Sequence, residues 1–79
     1  MRIVQLSELK QGESCVIKSV DLHGGLRQRL LDLGLFPGSL VACAYVAPSG
    51  SPIAFWIKGT LIALRYKDCL QIQGECSCG

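Results

Sequence analysis

The stretch LRQRLLDLGLFPGSLV, Leu26 to Val41, restricts the folds open to this chain more than any other segment. It reads, in order, as a short amphipathic helix, a glycine stop, a Pro-Gly turn and the start of a strand. At about 100° per residue, Leu26, Leu30 and Leu33 fall on one side and Leu31 extends the flank, while Gln28 and Asp32 point away. A stripe on barely two turns is too short to be stable alone and must lie on something. Gly24-Gly25 offers no side-chain cap, so Asp21 or a backbone contact serves instead. Gly34 suits the left-handed position that ends a helix, and Pro37 forbids its continuation. Pro37-Gly38 fits the central positions of a type II turn, where glycine supplies the positive φ. Arg27 and Arg29 border the stripe. Their stems cover apolar surface in the simpler account and face an acidic partner in the sharper one.

The rest of the chain reads as short strands. Ser7–Lys10 is a helical turn with Ser7 as its N-cap, and Cys15–Val20 is a first strand. Ser39–Val46 is the longest strand and is apolar on both faces, which fits burial between layers or beneath the helix. The segment 47–52 carries the densest turn chemistry and is an exposed hairpin loop. In Ile53–Ile57, Ile53, Phe55 and Ile57 share one face, with Ala54 and Trp56 on the other. Lys58-Gly59 is a tight turn. Thr60–Leu64 is the next strand, Arg65–Asp68 one helical turn and Leu70–Gln73 a short closing strand. These readings make residues 1–74 a single domain and 75–79 a flexible cysteine-containing tail. About five strands, with one short helix inserted after the first, predict a mainly β fold: a small SH3-like barrel, closed or nearly so. Closure would remove exposed edges, which a chain this apolar needs.

Composition limits the function. The chain has 79 residues, 49% hydrophobic and 18% charged, which argues against disorder. A net charge of +2 is too weak to imply nucleic acid, and no Lys/Arg run forms a patch. MRIVQLSELK lacks the apolar core of a signal peptide, and LVACAYVA is far too short to span a membrane. A soluble, cytoplasmic protein with reduced cysteines is expected. Its five cysteines are also an odd number, which a closed disulfide framework would not use.

The runs RLLDLGLFPGSLV, VAPSGSPIAFWIKG and LIALRYKDCLQI together resemble the ferrous iron transport protein A (FeoA) family, over Gly12 to about Ile72. The same module is similar to the C-terminal SH3-like domain of some metal-dependent repressors, but no DNA-binding part is present. The resemblance implies an SH3-like barrel with a helix between its early strands. It also implies a cytoplasmic accessory of the membrane ferrous iron transporter (FeoB-type), whose cytosolic region carries a GTPase domain. Where the family has a small residue, commonly Ala, near the last strand, this chain has Cys69, a conservative change for a buried site. The Cys76-Ser77-Cys78 tail lies beyond the family pattern.

No catalytic set emerges. The single histidine, His23, stands in a Gly-flanked loop, the carboxylates are scattered, and no phosphate-cradling motif is present, so the chain does not read as an enzyme or as the GTPase. No cofactor is required. The candidate partner-binding residues are Arg27, Arg29, Phe36 and Trp56. Trp56 packs in the core by default, but exposed beside the 48–52 loop it would anchor a partner. A second function stands as the alternative: a small transition-metal-binding or metal-sensing module using Cys76 and Cys78. That CxC pair would take Fe2+ or Zn2+, with Cys69 or His23 as further donors. Cys15 and Cys43 read as core residues. An RNA-binding SH3-like barrel is a weaker third reading, disfavoured by the modest charge. Homo-oligomerisation stays open, because strands apolar on both faces leave surface to cover.

Overall fold

The computed structural model describes residues 2–76. Its strands are β1 (Arg2–Gln5), β2 (Ser14–Val20), β3 (Leu40–Val46), β4 (Ile53–Ile57), β5 (Thr60–Leu64) and β6 (Ile72–Cys76). Helix α1 (Gly24–Leu33) and the single turn α2 (Tyr66–Cys69) interrupt them, and a 3-10 turn occupies Leu6–Glu8. All strand pairs are antiparallel, in the order β1-β6-β2-β3-β4-β5.

The turn chemistry acts as the residues dictate. Gly34 adopts φ 108° and ends α1. Its N–H donates to Leu31 O and the N–H of Leu35 donates to Leu30 O, the paired bonds of a Schellman cap. Gly38 has φ 98° and the N–H of Ser39 donates to Phe36 O, which closes the type II turn over Pro37-Gly38. Lys58 and Gly59 both have positive φ, 51° and 80°, as a two-residue type I′ hairpin turn requires.

One face of the sheet and the stripe of α1 enclose the core. Ile53, Phe55 and Ile57 are buried as their alternation predicts, together with Ile17, Val41, Cys43, Leu30, Leu35 and Ile72. Leu26 packs partly against them.

Several expectations change. The sheet has six strands rather than about five, because Arg2–Gln5 adds β1 against β6. The helix therefore follows the second strand, not the first. The sheet does not close: β1 and β5 are its ends and do not pair with each other. The early helical turn is shifted onto Leu6–Glu8, where the N–H of Gln5 donates to the Glu8 carboxylate at 2.8 Å, so Ser7 is not its cap. Helix α1 is preceded by His23, which makes no side-chain cap bond.

The closing strand is also displaced. Leu70 and Gln71 are taken up in finishing α2, by bonds to Tyr66 O and Asp68 O, so β6 begins at Ile72. It continues through Glu75 and Cys76, which pair with Ile3 and Arg2 and are therefore strand rather than tail. Gly74 makes this course accessible, since a Cβ there would collide with the Cys15 thiol. Finally, β3 is covered on one face only. Leu40 and Tyr45 are exposed because α1 packs on the core side and no second layer lies outside the sheet among the described residues.

Candidate partner-binding surface

The exposed face of the sheet carries a connected apolar surface. Alternation in β3 and β4 sends Val41, Cys43, Phe55 and Ile57 inward, which forces Leu40, Ala42 and Trp56 outward. Register places Ser14 beside Ala42, Ala42 beside Trp56, and Trp56 beside Leu61. One step along, Val16 faces Leu40. Directly opposed residues on one face stand roughly 5 Å apart at Cβ, so Val16, Leu40, Ala42, Trp56 and Leu61 form one patch. Leu40 is 63% exposed, Leu61 53% and Trp56 49%. Water-facing side chains of this size, contiguous rather than scattered, make this face a candidate for contact with a partner.

Trp56 is thus half exposed rather than packed beneath the helix. Phe36, 38% exposed, precedes the Pro37-Gly38 turn, and the Lys58 ammonium lies 5.6 Å from its ring centroid, a cation–π contact. The stem of Lys58 also lies against Gly34. Lys58 therefore links the end of β4 to Phe36 and to the end of α1. Arg27 and Arg29 are exposed on α1 and have no ion-pair partner among the described residues. Among the described residues no hydrogen bond or ion pair links them to the Trp56 face. Of the four candidate partner-binding residues, Trp56 lies on the strand face, Phe36 stands in the turn between α1 and β3, and the arginines are on α1.

Val16, Leu40 and Leu61 were not singled out from sequence. The signal was present for Leu40: once Val41 and Cys43 are assigned to the core, the pleat must turn Leu40 outward. For Val16 and Leu61 nothing local chooses the face, which follows from pairing with β3 and β4.

The cysteines have a different setting. Cys76 is buried at the end of β6, its thiol 3.5 Å from Ser14 O. Register carries it opposite Cys15. Burial, then the neighbouring Cys76, pushes the Cys15 thiol up to about 11. Burial, then Asp68 and Cys43, pushes Cys69 up to about 12, and Cys43 is raised mainly by burial. Burial thus disfavours the thiolate form, the form that metals bind, at Cys15, Cys43 and Cys69. Cys76 is therefore directed into the core and not carried on a free tail, and Cys78 lies outside the described residues. His23 is exposed, 3.9 Å from the Asp21 carboxylate. Among the described residues no three His, Cys, Asp or Glu side chains gather in a metal-binding group. A groove of about 610 Å³ between the ends of β2 and β6 is lined largely by Gln5, Ser19, Gln71 and Gln73, with Asp21 the one ionisable side chain.

A family model, the FeoA domain, matches residues 4–76. A Porphyromonas gingivalis protein named as an Fe(2+) transport protein A/Fe(2+) transporter FeoB fusion is 32% identical over 72 residues. The match covers 91% of this chain but 8% of that relative's length. The solution structure of the FeoA protein from Chlorobium tepidum superposes with a TM-score of 0.89 at 34% identity, over 96% of this chain and 72% of that one. FeoA from Stenotrophomonas maltophilia, crystallised with zinc and described as a prokaryotic SH3 domain protein, gives 0.74 at 30% identity, over 91% of this chain and 96% of that one.

Proposed function

The chain belongs to the FeoA family, associated with ferrous iron transport, and from that premise we propose that it is a cytoplasmic, non-catalytic accessory of ferrous iron uptake. It acts by protein–protein contact with an FeoB-type membrane transporter and its GTPase region. The observation that carries the reading is the P. gingivalis relative, named as a fusion of this module with FeoB. Fusion holds two domains at high effective concentration, an arrangement suited to partners that work in contact. The apolar face around Trp56 supplies a surface of the required kind, with Trp56 as its aromatic anchor and the Glu75 carboxylate at its border, opposite Val16. Arg27 and Arg29 supply basic groups free to steer an acidic partner.

Binding of the chain to the transporter's isolated GTPase region, with and without nucleotide, tests this. Binding is expected, with slower association when Arg27 and Arg29 are both changed to Glu. No binding in any nucleotide state refutes the reading.

A further inference from the structure

An open sheet leaves two edges, and they are not equivalent. Strand β5 pairs with β4 alone, and no hydrogen bond reaches its far side among the described residues. The two-residue turn makes Ile57 and Thr60 the closing hydrogen-bonded pair. Alternation along the ladder then makes Trp56–Leu61 and Ala54–Ala63 non-hydrogen-bonded pairs. The N–H and C=O groups of Leu61 and Ala63 therefore point away from β4.

Sheet proteins ordinarily blunt such an edge with a charge, a proline or a bulge. Strand β5, Thr-Leu-Ile-Ala-Leu, has no charged residue and no proline, and its register with β4 is unbroken. The other edge, β1, carries Arg2, and its exposed Ile3 pairs with acidic Glu75. Along β5, Leu61 is exposed beside Trp56, and Ile62 on the inner face is only partly buried against the core. A further strand would complete the cover of Ile62 and extend the Trp56–Leu61 face.

The segment around this edge is basic. From Leu33 to Lys67 the chain has no Asp or Glu, and its only charged residues are Lys58, Arg65 and Lys67. Lys58 opens the β4–β5 turn without an ion-pair partner among the described residues, while Arg65 follows β5 and meets Asp68 at 3.4 Å. An incoming segment finds basic groups near both ends of the edge, Lys58 turned over the Phe36 ring and Arg65 beside Asp68, with apolar side chains between.

We propose that the free edge of β5 is a strand-addition site for an extended partner segment, apolar on alternate residues and flanked by carboxylates. It rests on the reading of this chain as a docking module. Backbone bonds to Leu61 and Ala63 provide affinity, and the flanking cations choose among extended segments.

Amide hydrogen exchange on the full chain tests the site with two probes: the GTPase region of an FeoB-type transporter, and a Glu-Val-Thr-Val-Thr-Val-Glu peptide with its Lys-flanked counterpart as control. Protection is expected at the Leu61 and Ala63 amides with the transporter region and the Glu-flanked peptide, and not with the Lys-flanked one. Ala63→Pro removes an outward N–H while sparing the bonds to β4, and should weaken binding about tenfold. Lys58→Glu is the second variant and should weaken the Glu-flanked peptide while strengthening the Lys-flanked one. Binding of the transporter region without protection at these amides overturns the site and leaves the proposed function standing. Peptide protection without transporter binding does the reverse. Protection with neither probe, equal protection by both peptides, or protection that grows with protein concentration alone overturns the proposal, the last assigning the edge to a second copy.

Discussion

Truncating Trp56 to Ala removes the largest side chain of the proposed docking face. A tryptophan offers roughly 250 Å² at most. With 49% of Trp56 exposed, about 120 Å² remains to be covered by a partner, taking that same area. At about 25 cal/mol per Å², covering it is worth about 3 kcal/mol, or about a hundredfold in Kd. The cost to the free protein has a ceiling of the same size. The half of Trp56 that the fold already covers, about 130 Å², is worth up to about 3 kcal/mol by the same conversion, so the variant should show a lowered Tm and binding is compared below both melts. Trp56 is also the sole tryptophan, and its emission should shift to the blue as a partner excludes water. The measurements are titration calorimetry against the transporter GTPase region, thermal melts of both free proteins, and the emission difference between wild type and Trp56→Phe. A folded Trp56→Ala protein that binds within threefold of wild type, with no wild-type blue shift, would refute the assignment of this face.

Two other outcomes follow from the backbone and the core. Gly34→Ala places a side chain at φ 108° and against the Lys58 stem. It should cost about 1–2 kcal/mol, lowering Tm by roughly 4–16 °C for a domain this small. Lys58→Gly, which also relieves a positive φ of 51°, should recover part of that loss, and an equal loss in both backgrounds would show that the two positions do not meet. The second outcome concerns pH. Cys15 is raised from an ordinary 9.0 to about 11 by burial and by Cys76, so the folded state favours the neutral thiol. Its contribution to stability is full below pH 9 and is lost as pH rises through 9 towards 11. Tm should fall across that window, and Cys15→Ala should flatten the fall; an unchanged slope would contradict a buried, protonated thiol.

Much of this architecture is written locally. Gly34, Pro37-Gly38 and Lys58-Gly59 act through φ preferences that need no distant partner, so the helix stop and both turns are legible from the residues. The strands Ile53–Ile57 and Thr60–Leu64 appear with their full extents because tight turns bound them. The inward set Ile53, Phe55 and Ile57 follows from strict alternation. Phe36 and Trp56 could be picked out as candidate anchors because they are aromatic and beside turns, but their exposure could not be read.

What stayed hidden depends on contacts between residues far apart in the chain. Arg2–Gln5 becomes a strand because β6 offers it an edge, and β6 reaches Cys76 because Gly74 lets it pass the Cys15 thiol. Local propensity at Glu75 and Cys76 does not reveal this, and so they read as tail. Leu40 and Trp56 lie on strands apolar on both sides, where alternation sets which side chains share a face but not whether that face is covered. Their exposure is settled by where the helix lands, with no second layer outside the sheet among the described residues. The chain's own chemistry dictates its turns, its helix and its core alternation. Strand order, sheet ends and the faces left open to a partner are set by long-range pairing, since a hydrogen-bonded neighbour is chosen by the whole chain at once and not by any one segment.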